Sequence, residues 1–139
     1  MNDKQKAFVI LSPGFASSET DSTCLPMQQS FVRSISKLYP EIEIIVLSFQ
    51  YPFFEKTYKW FDATVISFNG RNRGGFPGIF LRRRVVRKLR AIHKTKQIVG
   101  LLSFWLGECA YVGKKFAERN GITHYCCLLG KDVRANNKY

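Results

Sequence analysis

The chain has 139 residues, 45% of them hydrophobic, and 22 lysines and arginines against 10 aspartates and glutamates. That length holds one ordinary hydrophobic core and not two. No apolar run approaches the about 18 residues of a membrane span, and the polar residues 2–6 ahead of a short apolar run that meets Pro13-Gly14 make a poor secretion signal, so a single cytoplasmic domain is expected. The formal charge of +12 is concentrated: residues 71–96 hold ten Arg or Lys and no acid, whereas residues 12–29 hold two acids and no base. A segment of the first kind attracts phosphates, anionic lipid headgroups or nucleic acid.

Residues 6–12 (KAFVILS) are a short apolar run stopped by Pro-Gly, which predicts a strand. A helix begins near Leu25. Met27, Phe31, Ile35 and Leu38 recur every three or four residues as its apolar face, Ser22 or Thr23 is available as a cap, Pro26 suits the first turn, and Pro40 closes it. Residues 43–49 (EIIVLSF) predict a second strand, more continuous than alternating, as in a sheet covered on both faces. Residues 50–62 are aromatic and irregular. Residues 63–68 (ATVISF) give a third strand, broken by Asn69-Gly70, and the following RNRGGFPG holds three of the ten glycines and reads as a loop. Residues 79–94 (IFLRRRVVRKLRAIHK) predict a basic amphipathic helix. Leu81, Val85, Leu89 and Ile92 form its apolar face, widened by Phe80 and Val86, and Arg82, Arg83, Arg84, Arg87, Lys88 and Arg90 cover the rest. Residues 97–102 (QIVGLL) are a fourth strand. Residues 107–120 form a helix carrying Ala110, Val112, Phe116 and Ala117 and stopped by Asn120-Gly121, and 123–129 (THYCCLL) are a fifth strand.

Helical and strand segments mostly alternate. The expected fold is therefore α/β, a Rossmann-like three-layer sandwich with a mainly parallel sheet in the order 3-2-1-4-5. In that order the first strand lies beside the fourth, and ligands enter the crevice at their carboxyl ends. Three segments would meet there: the loop after Ser12, the turn at 103–108 and the turn at 130–132. The first is the most conspicuous, about twelve residues rich in hydroxyls, where a strand-to-helix connection takes about 2 to 6. Set over a crevice, it is expected to face solvent beside Trp105 and Gly130, to move more than the strands, and to leave Phe15 exposed.

Individual residues admit two readings each. Pro13-Gly14 either ends a strand or lets the backbone pass close to a ligand. The G-x-G-x-x-G arrangement is missing, since Phe15, Ala16, Ser17 and Ser18 follow Gly14, and no G-x-x-x-x-G-K-[ST] loop occurs, so a tightly held pyrophosphate is not expected here. Glu19 and Asp21 are either solvated helix-start carboxylates or, with Ser17, Ser18 and Thr20, partners of a polyhydroxylated ligand for which Phe15 is a platform. Trp105 is core packing or an apolar platform; Glu108 complements a helix dipole or meets the ligand. Serine hydrolase chemistry lacks its base, because His93 falls on the basic helix far from the strand ends. His124, at the start of the last strand and opposite the crevice, reads as structural or exposed. Cys24, Cys109, Cys126 and Cys127 match neither a zinc nor a disulfide spacing and read as reduced, mostly buried thiols, with no metal site. The basic helix, through Arg82, Arg83, Arg87, Lys88 and Arg90, is open to an anionic membrane surface, a phosphate-bearing substrate or plain solvent, while nucleic acid lacks any accompanying motif.

SPGFASSETDSTCLPMQQSFV at 12–32, LLSFWLGECAYVGKKFAERNGITHYCCLLGKD at 101–132 and the closing Asn136-Asn137-Lys138-Tyr139 give nearly the whole chain a further property. It resembles the amino-terminal domain of bacterial family-four glycosyltransferases, retaining two-domain enzymes of the GT-B fold. The resemblance implies sugar transfer to a saccharide or lipid-linked saccharide acceptor, with this domain shaping the acceptor side of an interdomain cleft. Acceptor contacts would come from Gly14, Phe15, Ser17, Glu19 and Asp21 in the first loop, Ser103, Trp105 and Glu108 in the second, and Gly130 and Asp132 in the third; no catalytic residue is assigned. Many members carry paired glycines after the first strand and a histidine near the end of the fourth or fifth, where this chain has Phe15 and Ser103. A nucleotide-sugar donor would be held by a carboxy-terminal domain not contained in residues 1–139, with no cofactor on this one. The chain alone would be inactive, cytoplasmic, and peripheral at the inner face of the cell membrane. The alternative from another class is a stand-alone basic interaction or membrane-docking module, in which the polar loop is incidental.

Overall fold

The computed structural model describes residues 3–130, with the elements β1 (Lys6–Gly14), α1 (Pro26–Leu38), β2 (Glu43–Tyr51), β3 (Glu55–Trp60), β4 (Ala63–Phe68), α2 (Gly75–Thr95), β5 (Gln97–Phe104), α3 (Glu108–Asn120) and β6 (His124–Cys127). The strands form one sheet in the order β3-β4-β2-β1-β5-β6. Every pairing is parallel except that of β3 with β4. The five strands read from the sequence are therefore in the expected 3-2-1-4-5 order. Ile10 lies opposite Leu102 and Leu11 opposite Ser103, so the ends of β1 and β5 share one rim.

The near-continuous apolar runs of β1 and β2 follow from burial on both sides. Ala7, Val9, Leu11, Ile45, Leu47 and Phe49 pack against Leu81, Val85, Leu89 and Ile92 of α2 and Val112, Phe116 and Ala117 of α3. Ile10, Ile44 and Val46 turn to the other face, where Val32 of α1 meets Phe15, Trp60 and Phe104. Each fully buried Leu, Ile or Val of this kind contributes roughly 1.5–3 kcal/mol. The result is α1 on one face of the sheet and α2 with α3 on the other.

Five local expectations are corrected. The stretch read as irregular contains β3, an antiparallel edge strand whose EKTYKW sequence turns only Tyr58 and Trp60 inward; its lysines and glutamate suit an open edge but hide the strand signal. The RNRGGFPG segment is not all loop, because α2 begins at Gly75, with Pro77 in its first turn, where no N–H is needed. Phe80 does not widen the buried face of α2 but stands 59% exposed. The buried line of α1 is Gln28, Val32 and Ser36, while Met27 and Leu38 are 51% and 71% exposed and, of the expected stripe, Ile35 packs against the core and the part-exposed Phe31 ring lies edge-on to Phe104. The rotation of α1 is pinned by Gln29, whose amide donates to the carbonyls of Asp21 and Cys24 at 2.8 and 2.6 Å. Neither Ser22 nor Thr23 caps the helix, and Leu25 holds that position with a left-handed φ of 51°.

Among the described residues no helix is long and apolar enough to cross a membrane, and no group of three or more His, Cys, Asp or Glu is placed to hold a metal ion. Of the thiols only Cys109 is buried, and Cys126 is exposed, since a short edge strand leaves its outer side open. The expectation of mostly buried thiols is corrected to that extent.

Candidate functional site

At the carboxyl rim, β1 and β2 run on together past their neighbours. The Ser12 hydroxyl donates to the Gly14 carbonyl at 2.6 Å, Ser48 donates to the Tyr51 carbonyl, and the Phe15 N–H reaches that same carbonyl at 3.3 Å. A Cβ at Gly14 would make only ordinary contacts, the nearest with Tyr51 Cβ at 3.5 Å, so the chain's own packing does not demand a glycine there.

The loop of residues 15–25 is not the loose cover expected from its composition. Phe15 is 1% exposed, edge-on to Trp60 with ring centroids 4.9 Å apart. The Tyr58 hydroxyl donates to the Ala16 carbonyl at 2.5 Å, Trp60 Nε1 to the Ser18 carbonyl at 3.1 Å, and the Phe61 N–H to Glu19 Oε1 at 3.0 Å. The loop thus leans towards β3. Asp21 organises its interior, accepting from the Ser17 N–H (2.9 Å), the Ser17 hydroxyl (3.0 Å), the Tyr51 hydroxyl (3.1 Å) and the Cys24 N–H (3.3 Å). The Ser17 N–H is the strongest influence on Asp21, and with the other donors it outweighs partial burial and brings the carboxyl down to about 2. Burial, reinforced by that negative charge, pushes the Cys24 thiol up to about 11.

The second segment divides. Trp105 is half-buried at the rim with φ 67°, its N–H donating to the Cys127 carbonyl at 3.0 Å and its ring against Phe104. Glu108, in the first turn of α3, accepts from Gln50 Nε2 at 2.8 Å, and Gln50 Oε1 accepts from the Asn72 N–H at 2.8 Å. Ser103 lies underneath, fully buried. Its hydroxyl donates to the Cys109 carbonyl at 3.0 Å, which leaves the imidazole Nε2–H of His124, 2.8 Å away, to donate to it. Ser103 therefore braces the floor of the rim and does not face the crevice. His124 has the structural role expected of it, and burial holds its pKa below the ordinary value. Gly130 is exposed with φ 52°; Asp132 lies outside the described residues.

Sequence reasoning missed the third side of the rim. Gln50 ties the end of β2 to the loop after β4 and to the start of α3, and a Cβ on Gly70 would fall 2.3 Å from its Oε1. Next to it the exposed ring of Phe53 lies against Tyr51 and beneath the Arg71 guanidinium, 5.2 Å from the ring centre. No sequence pattern distinguishes a glutamine of this kind, although Asn69-Gly70 and the aromatic density of 51–54 marked the place. Left-handed backbone at non-glycine residues gathers along this rim: Leu25 (φ 51°), Asn69 (54°), Arg71 (56°), Asn72 (55°) and Trp105 (67°).

Of the basic residues singled out, Arg82, Arg83, Arg87 and Arg90 line a concavity of about 590 Å³ between α2 and α3. Lys88 turns instead to a concavity of about 430 Å³ against β3 and β4, where Arg84 pairs with Glu55 at 2.6 Å.

No family model matches the sequence, and no curated protein matches it. The fold is similar to that of a UGT transferase from Siraitia grosvenorii solved in complex with UDP, with a TM-score of 0.59 at 15% identity, covering 87% of this chain and 27% of that one. At that identity the likeness is one of fold, and the chain spans about a quarter of the length of the protein it resembles.

Proposed function

We propose that residues 1–139 are the acceptor-side domain of a cytoplasmic two-domain GT-B glycosyltransferase of the family-four kind. The reaction would move a sugar from a nucleotide-sugar onto a saccharide or lipid-linked saccharide. The observation that carries the reading is the rim itself: loops from four separate places converge at the carboxyl ends of parallel strands, polar groups and aromatic rings alternate along it, and five non-glycine residues hold left-handed backbone there. Such conformations cost of order 1–3 kcal/mol each and gather where a site is held in shape. The fold likeness to a transferase solved with UDP agrees with this reading.

The division of labour follows from charge. Among the described residues this rim has no glycine-rich phosphate cradle, its carboxylates are Asp21 and Glu108, and its Arg71 guanidinium lies over the Phe53 ring, so hydroxyl groups are better received here than a diphosphate. Holding the departing diphosphate then falls to another domain, and this one alone has no turnover, because stabilising that developing charge is ordinarily the largest part of such catalysis. The exposed Met27 and Tyr125 on the α1 side of the sheet also fit a domain that packs against a further one.

The test is residue-resolved NMR of the isolated domain titrated separately with oligosaccharides and with UDP. Saccharide-dependent shifts at Gln50, Tyr51, Asn72, Trp105 and Glu108, without a response to UDP, are expected. Tight UDP binding at this rim, or sugar transfer by the pure chain, would overturn the acceptor-side assignment.

A further inference from the structure

The layer formed by α2 and α3 carries a second concave surface, and it shares no residue with the carboxyl rim. Arg82, Arg83, Arg87 and Arg90 of α2 face Lys115 and Arg119 of α3 across the groove of about 590 Å³. No acid lines this groove, and among the described residues none of the six cations has a carboxylate partner, whereas the neighbouring Arg84 and Lys114 pair with Glu55 and Glu118. Arg83 and Arg87, like Lys115 and Arg119, are four residues apart on their helices, so like charges stand side by side and repel. Tyr111, in the groove wall, registers the positive field: Lys115 Nζ donates to its hydroxyl at 2.6 Å, and that bond, with the charges of Lys115, Arg82 and Arg119, holds the phenol below its ordinary pKa. The four cations on α2 are all arginines, whose planar guanidinium pairs bidentately with phosphate oxygens, and residues 82–90 extend over about 12 Å of helix axis. A single phosphate meets a small part of such a row, whereas phosphates joined in line meet both walls at once.

We propose that the α2–α3 groove is a binding site for a soluble polyphosphate, either a free chain or one carried on a nucleoside, lying along α2 with its oxygens between the two walls. The shape of the site selects this occupant. The cations line a concavity, which admits a narrow ligand and surrounds it, whereas a lipid leaflet meets only the outermost groups of a face. A nucleic acid strand stacks bases on rings interleaved with its phosphate contacts, but the exposed rings of Phe76 and Phe80 stand outside the groove lining. The repulsion among the cations is relieved when the polyanion binds, so occupancy should raise the melting temperature. The inference stands on this groove alone and does not depend on the sugar-transfer reading.

Calorimetric titration of the 139-residue chain with tripolyphosphate, adenosine triphosphate and orthophosphate, at equal ionic strength, provides the test. Saturable one-to-one binding of a polyphosphate is expected, about tenfold or more tighter than that of orthophosphate. Tighter binding of adenosine triphosphate assigns the nucleoside form, and tighter binding of tripolyphosphate the free chain. The pairs Arg83→Gln with Arg87→Gln and Lys115→Gln with Arg119→Gln should each weaken binding by about tenfold or more. Each pair removes like-charged neighbours, so circular dichroism should show melting no lower than the parent's and confirm that the variants are folded. Lys37→Gln with Lys59→Gln removes the same charge beside a different concavity and should leave binding within about twofold. An equal loss in that control pair would reduce the effect to net charge and overturn the site, as would orthophosphate binding as tightly as the polyphosphates or the absence of saturable polyphosphate binding. Groove-dependent adhesion to phosphatidylglycerol vesicles that saturating tripolyphosphate does not displace, or groove-dependent binding of single-stranded RNA tighter than that of either polyphosphate, would also overturn it.

Discussion

Removing the Asp21 carboxylate tests whether the first loop is held as described. Asp21→Ala deprives two backbone N–H groups, of Ser17 and Cys24, of their acceptor, together with the hydroxyls of Ser17 and Tyr51. Hydrogen bonds to a charged group contribute about 1.5–3 kcal/mol each, but this loop is half in water, which replaces much of what is lost. A total of about 2 kcal/mol is therefore expected, read as a fall of roughly 5–10 °C in melting temperature for a domain of this size. Hydrogen exchange should speed up at Ser17 and Cys24 while the strands are unchanged.

The pH dependence has a fixed sign. The folded carboxyl lies at about 2 and its ordinary value is 3.8, so its contribution is present above about pH 4 and is lost as pH falls through the folded value near 2. Asp21→Asn keeps an acceptor oxygen but removes the charge, and its stability should lose that acid-range slope. Urea unfolding of the three proteins between pH 2 and pH 7 is the assay. An Asp21→Ala variant within about 0.5 kcal/mol of the parent, with unaltered exchange in residues 15–25, would refute the tied-down loop.

Gly113→Ala places a Cβ 2.6 Å from Ser103 Oγ, 2.7 Å from His124 Nε2 and 2.9 Å from Leu11 Cδ1, and should destabilise by about 1–3 kcal/mol in urea unfolding. Phe15→Ala removes a fully buried ring from its seat on Trp60 and should cost about 3–5 kcal/mol, where an exposed platform would leave stability unchanged. With a thiol reagent at pH 8, Cys126 should react first, Cys24 slowly because its thiol is held up to about 11, and Cys109 only on unfolding; mass spectrometry of early time points gives the order.

The five parallel strands were legible because each is a short run of branched apolar residues separated from the next by a helix or a turn, and their order follows from crossover rules alone. β3 was not legible. Its inward Tyr58 and Trp60 are interrupted by charge, and without it the partners of the first loop could not be named, since Tyr58, Trp60 and Phe61 each bond a residue 42 positions away. The same gap explains Phe15, which was expected in solvent because the ring that covers it belongs to an unrecognised strand. Ser103 was read as part of the turn after a strand ending at 102, but β5 runs on to Phe104, so Ser103 is a strand residue whose hydroxyl turns under the rim to the Cys109 carbonyl. Gln50 carried no signal at all, being defined only by partners in the loop after β4 and in the first turn of α3.

The length of the first loop follows from the position of β3. In the order β3-β4-β2-β1, β3 lies three strand spacings from β1, about 14 Å at about 4.8 Å each. A connection that leaves β1, reaches β3 and returns to start α1 over the centre of the sheet covers about 28 Å, which at most about 3.3–3.6 Å per residue takes at least about eight residues. A linker of about 2 to 6 cannot make that journey. Along the route the Asp21 carboxylate takes the Ser17 and Cys24 N–H groups, and Tyr58, Trp60 and Gln29 donate to the carbonyls of Ala16, Ser18, Asp21 and Cys24, the partners that a chain without secondary structure needs. The polar composition that suggested a ligand is accounted for on the β3 side by the loop's own bonds. What remains for a ligand is the opposite side of the rim, where Gln50 joins Asn72 to Glu108 and Trp105 follows β5. If oligosaccharides shift the β3-facing residues Ser18 and Glu19 and leave Gln50 and Trp105 still, that division of the rim is wrong.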